Sequence, residues 1–173
     1  MPAPTALERS ITTIDAASTR GVAAALASAA RPGDLVCLWG DLGAGKTQFA
    51  KGFGEGLGVV GTISSPTFIL MAEYAGRLPL FHVDLYRLAD GADAVAGGIV
   101  DERQAAGVTL VEWPERMGEL LPPRRLDVVI DGTGTAPRRI TFRAAQPDLS
   151  RYLDAIPNAI PNAISDLVAD GAA

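Results

Sequence analysis

The chain has one cysteine and one histidine in 173 residues, and each scarcity excludes a chemistry. With Cys37 alone, no disulfide can close within the chain and no cysteine cluster can hold a metal, so a reducing, cytoplasmic setting is expected. Cys37 itself lies in an apolar run and reads as a small core residue. An excess of positive charge is missing too: 15 Lys and Arg stand against 20 Asp and Glu, a net charge of -5. Such a chain does not grip DNA or RNA by itself, because counterion release needs a basic surface. No apolar stretch approaches the length of a membrane span. Val22 to Ala30 is apolar and Ala27-Ser28-Ala29 has the look of a signal-peptidase site. Glu8 and Asp15 lie upstream, however, and cleavage there would remove the first strand and helix, so no signal peptide is expected.

What the chain does have is Gly40-Asp41-Leu42-Gly43-Ala44-Gly45-Lys46-Thr47, a full match to GxxxxGK[ST]. The context is the one this motif requires. Before it, Leu35-Val36-Cys37-Leu38-Trp39 is a continuous apolar run, as in a strand buried on both faces of a parallel sheet. After it, Gln48 to Phe53 continues at helical spacing, with Phe49 and Phe53 four apart on one face. Glycines at 40, 43 and 45 let successive N–H groups converge on one anion, at the positive end of the following helix. Lys46 can reach the outer phosphates of a nucleoside triphosphate, and the Thr47 hydroxyl is placed for the accompanying Mg²⁺. The eight loop residues and Gln48 after them are therefore the candidate nucleotide-binding positions.

Length favours a single domain. Met1 to Glu8 reads as a loose lead-in, Arg9 to Ile14 as a strand, and Asp15 or Ser18 as the cap of a helix running to about Ala30. Phe68 to Tyr74 and Leu78 to Val83 are two strand-like runs joined by Ala75-Gly76-Arg77. That link fits a hairpin and is too short for a parallel crossover, so the sheet must be mixed. Ala89 to Ala106 is polar and glycine-rich, as suits a flexible segment over a site. Val108 to Val111 is a buried strand, followed by a helix ending before Pro122-Pro123; Leu126 to Ile130 and Arg139 to Phe142 are a strand pair, with a short helical piece after Gln146. The expected fold is α/β, a P-loop NTPase-like three-layer arrangement around a mixed sheet. It occupies residues 1–155, and 156–173 form a proline-containing tail with little fixed structure, in which a tandem Ile-Pro-Asn-Ala repeat forbids a regular helix.

A phosphate loop leaves open the holding of Mg²⁺ and the orienting of a nucleophile. Two apolar strands end in a carboxylate: Leu80 to Asp84 and Val108 to Glu112. Either acid alone would be an ordinary loop-facing group; two, beside a phosphate loop, point to metal and water handling. Ser64-Ser65-Pro66-Thr67-Phe68 stands where switch loops offer a hydroxyl to a γ-phosphate, although Ser-Pro-Thr also makes an ordinary turn. His82 reads as packing, with the orienting of a neighbour as the alternative. Trp113 is either a wall against an adenine ring or core, and Arg87 either a stabiliser of transferred charge or surface.

GDLGAGKT, SPTF, HVDLYRLAD and VEWP, in this order and roughly this spacing, resemble the TsaE family, small bacterial P-loop ATPases of transfer-RNA threonylcarbamoyladenosine synthesis. The resemblance covers about Arg9 to Arg143. It implies binding and slow hydrolysis of ATP with Mg²⁺ beside a TsaB and TsaD pair, with tRNA engaged only through that complex. It further implies that Gly43 to Thr47 hold the phosphates and that Thr47 and Glu112 ligate Mg²⁺. By the same resemblance Asp84 is expected to be needed for turnover, Thr67 to sit near the γ-phosphate, and residues near Asp15 to touch the adenine side. Asp84 and Glu112 could exchange roles. One rival is a shikimate-type kinase, with Arg116, Arg124 and Arg125 as a lid; another is a nucleotide-dependent binding module whose turnover is incidental. A GTPase fits less well, because no NKxD-type segment reads guanine.

Overall fold

A computed structural model describes residues 7–66, 70–88, 102–158 and 163–164 and the regular elements within them. They are β1 (Leu7–Thr13), α1 (Ala16–Ala27), β2 (Leu35–Trp39), α2 (Lys46–Gly56), β3 (Met71–Tyr74), β4 (Leu80–Asp84), β5 (Val108–Glu112), β6 (Leu126–Asp131), β7 (Arg138–Ala144), α3 (Ser150–Asp154) and β8 (Ala163–Ile164). Short 3-10 helices lie at Glu102–Ala106, Pro114–Leu120 and Pro147–Leu149. The strands form one sheet in the order β3-β4-β5-β2-β6-β7-β1-β8. Its centre, β4-β5-β2-β6, is parallel; β3, β7, β1 and β8 join antiparallel. The mixed sheet and the β3–β4 hairpin are as the sequence predicts.

Alternation along each strand sorts side chains between two faces. Val36, Leu38, Leu110, Val128, Ile140 and Phe142 turn toward α1 and α2 and share one core with Leu26, Phe49 and Phe53. The helices meet closely because Gly52 and Gly56 carry no β-carbon: one added there would come within 2.2 Å of Arg20 O and 2.4 Å of Ala24 O. A Schellman pair then ends α2, Gly58 N–H donating to Glu55 O and Val59 N–H to Gly54 O, with Gly58 at φ +74°. On the opposite face Val83, Leu85, Val111 and Met117 make a smaller core beside the 3-10 helix Pro114–Leu120. Farther along, that face is polar, with Ser10 and Thr141 hydroxyls 3.0 Å apart and Arg143 Nε donating to Glu8 at 2.7 Å. The layer on that side is therefore thin.

Several boundaries differ from expectation. The first strand begins at Leu7, inside the expected lead-in, because Leu7 and Glu8 pair with Ala144 and Arg143 of β7. The helix expected before Pro122 is 3-10, entered from Trp113 and broken at Gly118 (φ 53°, ψ -128°). Ala163 and Ile164, from the expected tail, pair with Thr13 and Thr12 of β1. Residues 89–101, most of the segment expected to be flexible, lie outside the described residues, as do Phe68 and Ile69. Among the described residues no helix is long and apolar enough to cross a membrane.

Entry into β2 is fastened by Asp34, which is 2% exposed. Its Oδ2 accepts from Arg31 N–H at 2.9 Å, from Tyr152 O–H at 2.7 Å and from Arg151, while Oδ1 accepts from Arg124 at 3.2 Å. This ties α3 to the centre of the sheet. Burial pushes the Asp34 pKa up, but the bonds from Arg151, Tyr152 and Arg31 outweigh it and leave it below the ordinary 3.8. Removing one partner of a buried ion pair strands the other, so Asp34→Asn is expected to lower the unfolding free energy by about 3 kcal/mol in urea titrations. A carboxylate with a depressed folded pKa stabilises above its unfolded value and loses that contribution as pH falls through the folded one. The acid-side slope of stability below about pH 4 should accordingly be shallower in Asp34→Asn than in the parent.

Candidate functional site

The turn at the carboxyl end of β2 has backbone geometry that demands glycine. A β-carbon on Gly40, at φ +147°, would come within 2.5 Å of Ile130 O. Gly43 and Gly45, at φ +81° and +109°, occupy the left-handed region, and Gly45 is the N-cap of α2. Lys46 opens that helix and folds back, its Nζ donating to Gly40 O at 2.5 Å and Asp41 O at 2.9 Å. Nζ also lies 3.9 Å from the centre of the Trp113 ring. Burial lowers the Lys46 pKa, and Glu112, Glu115, Asp84 and Asp41 act against that shift.

Parallel pairing brings the two strand-end acids together. Asp84 and Glu112 are register partners across β4 and β5, and Glu112 is the register partner of Leu38 on β2. Glu112 Oε1 accepts from Thr47 Oγ1 at 3.4 Å and lies 2.9 Å from His82 Nε2. Asp84 is held differently: Oδ2 accepts from Ser65 Oγ and Oδ1 from Tyr86 N–H at 2.9 Å. Trp113, at φ 61° and ψ 49°, is the one non-glycine residue with positive φ among the described residues. Strain of this kind, worth about 1–3 kcal/mol, collects at functional sites. Here it sets the indole against Lys46, with Tyr86 packed 5.0 Å away.

These groups line one cavity of about 520 Å³, shared by Gly43, Lys46, Thr47, Asp84, Glu112 and Trp113. A second cavity of about 340 Å³ lies against Ala44, Gly45 and Gln48, walled by Asp15, Thr19 and Arg138. Asp15 caps α1 by accepting from Ser18 N–H at 2.7 Å, and the Ser18 bonds hold its carboxylate below the ordinary range. The structure thus brings Lys46, Thr47, Asp84, Glu112 and Trp113 to one place and Asp15 to another, with Gln48 lining both. Trp113 lines the lysine-bearing cavity, not the one at Asp15. Asp41 and Leu42 are exposed; Leu42 still lines the lysine-bearing cavity, and the Asp41 carbonyl accepts from Lys46. Thr67 lies outside the described residues. Arg124 and Arg125, imagined as a kinase lid, are engaged with Asp34, Asp148 and Asp127. Among the described residues no group of three or more His, Cys, Asp or Glu could hold a metal. Thr47, Asp84 and Glu112 bring one hydroxyl and two carboxylates to the lysine-bearing cavity, oxygen donors of the type hard cations prefer.

Arg138 was invisible from sequence. From the start of β7 its Nε donates to Ala44 O at 2.8 Å and its Nη2 to Gly43 O at 3.3 Å, anchoring the glycine turn from below. No local motif marks it, since its two partners in the glycine turn lie more than ninety positions away.

A model of the family described as threonylcarbamoyl adenosine biosynthesis protein TsaE matches residues 13–140. The chain belongs to the TsaE family. TsaE of Bacillus subtilis (strain 168) is 45% identical over 133 residues, 76% of this chain and 83% of that protein. TsaE of Treponema pallidum (strain Nichols) is 42% identical over 109 residues, 63% of this chain and 81% of that protein. TsaE of Streptomyces coelicolor is 45% identical over 109 residues, 61% and 74%. The crystal structure of Bacillus subtilis YdiB superposes with a TM-score of 0.71 at 38% identity, covering 88% of this chain and 95% of that one. The TsaE architecture is therefore shared well beyond the glycine turn.

If Arg138 braces the turn, Arg138→Met should speed hydrogen exchange at the amides of residues 43–47 and weaken binding of tripolyphosphate roughly tenfold, as loss of a charge-assisted hydrogen bond implies. Isothermal titration together with exchange mass spectrometry checks both.

Proposed function

We propose that this TsaE chain binds ATP with Mg²⁺ and hydrolyses it to drive a TsaB and TsaD pair in tRNA threonylcarbamoyladenosine synthesis, meeting tRNA only through that complex. The observation that carries the reading is the shared cavity of Lys46, Thr47, Asp84 and Glu112. Amides at the start of α2 and the positive end of that helix suit the phosphates. Lys46 would exchange the carbonyls of Gly40 and Asp41 for phosphate oxygens, so its charge is already desolvated and needs little rearrangement. Mg²⁺, when bound, would supply positive charge to offset that of the phosphates. Thr47 and Glu112, already in contact with each other, are the pair suited to hold it. Asp84 is bonded to Ser65 of the loop that follows α2, which suits it to orient the attacking water. Asp15 and Gln48, at the second cavity, fit the base side. The antiparallel hairpin of β3 and β4 stands against the kinase alternative, as does the engagement of Arg124 and Arg125 elsewhere.

The test is phosphate release from ATP and Mg²⁺ by the protein alone and with TsaB and TsaD. Lys46→Ala should cut the rate on the order of a hundredfold, the loss typical of one preorganised charge-stabilising donor, and should fail to support the partners. Full support by Lys46→Ala would leave a passive binding module, and release that requires a small acceptor would leave a kinase.

A further inference from the structure

We propose that His82 is a positioning residue that sets the side-chain orientation of Glu112, and through it the affinity for the divalent cation. This rests on the reading of Glu112 as a Mg²⁺ ligand. His82 is fully buried in the middle of β4, in register with Leu110 of β5, two positions before Glu112. Strand alternation puts His82, Asp84 and Glu112 on the same side of the sheet as the glycine turn. His82 Nε2 lies 2.9 Å from Glu112 Oε1. A carboxylate oxygen accepts, so Nε2 carries the hydrogen and donates it.

The other ring nitrogen makes the case. Nδ1 of His82 is a buried side-chain nitrogen with no hydrogen-bond partner, and the one such atom among the described residues. A proton there would be a buried donor with nothing to receive it, at a cost of about 1–3 kcal/mol. With Nδ1 unpaired in either tautomer, the carboxylate decides: the Nδ1–H form would also set a bare Nε2 lone pair against Glu112 Oε1, so the Nε2–H form is selected and aimed at Glu112. A residue kept only for packing would not need an imidazole with one end unsatisfied; leucine or methionine would fill the space without that penalty.

The consequence falls on Glu112, itself only 3% exposed. Its Oε1 is taken by His82 and Thr47, and no described residue donates to Oε2. With one oxygen pinned, the carboxylate cannot rotate freely, and the other is left for a cation or its water in the cavity that Glu112 lines. Ligating carboxylates owe their orientation to such outer hydrogen bonds, whose loss typically costs 10–100-fold in metal affinity or activity.

The test compares His82→Leu, which removes the donor, with His82→Gln, whose amide N–H reaches the same oxygen. In His82→Leu the Mg²⁺ concentration for half-maximal binding of an ATP analogue should rise roughly tenfold or more, with nucleotide affinity in EDTA unchanged; His82→Gln should return most of the loss. A packing role would instead lower metal-free affinity and thermal stability in both variants alike. Because His82 is the single histidine in the chain, ¹⁵N-resolved NMR of the unmutated protein reads its tautomer without assignment, whether or not the variants fold. Observation of Nδ1–H overturns the inference, as does an unchanged Mg²⁺ response in folded His82→Leu. Absence of any Mg²⁺ effect in the parent overturns the cation reading itself and this inference with it.

Discussion

The site depends on the parallel register of β4, β5 and β2. Asp84 stands opposite Glu112, and Glu112 opposite Leu38, so two acids reach the edge where β2 turns into the glycine loop. Side chains in a strand alternate with a period of two, and a slip of one residue in β5 would turn Glu112 to the opposite face and bring Val111 into its place. The large core on the helical side prevents that slip, since Leu110 and Val108 would leave it together.

Around that register the loop is prepared before any ligand arrives. Glycines remove the β-carbons that would strike Ile130 O or resist positive φ, Arg138 holds two loop carbonyls from one side, and Lys46 holds two others from within. Lys46 is buried at 6% exposure and its charge is met by carbonyl dipoles and the face of Trp113. Such an arrangement keeps a desolvated cation beside two carboxylates without forming a tight ion pair that a ligand would have to break. The positive φ of Trp113 belongs to the same arrangement: it sets the ring over Lys46 Nζ, with Tyr86 packed against it and the 3-10 helix following directly.

Much of this was legible in the chain, and the part that was not shares a property. Gly40 to Thr47 could be read because every functional atom of the turn lies within eight consecutive residues. The β3–β4 hairpin could be read because so short a link leaves no room for a parallel crossover. Asp84 and Glu112 were found as strand-end acids, but whether they met was a matter of strand order, which no local pattern encodes. Likewise, a helix ending before Pro122-Pro123 is legible after β5, but not that it would be 3-10. The sheet pairing of Leu7 and Glu8 comes from β7, far along the chain.

Composition and local pattern alone decided the acidic, single-cysteine character, the glycine turn with its lysine and threonine, the alternation of buried strands with helices, and the need for a mixed sheet. Tertiary structure decided which distant groups touch: Arg138 under the loop, His82 against Glu112, Asp34 clasped by Arg124, Arg151 and Tyr152, and Trp113 over Lys46. The reason is physical. Backbone preference and hydrophobic period act over a few residues and leave their mark in the string, whereas a side chain's partner across the sheet is chosen by strand order and packing, which belong to the folded chain as a whole.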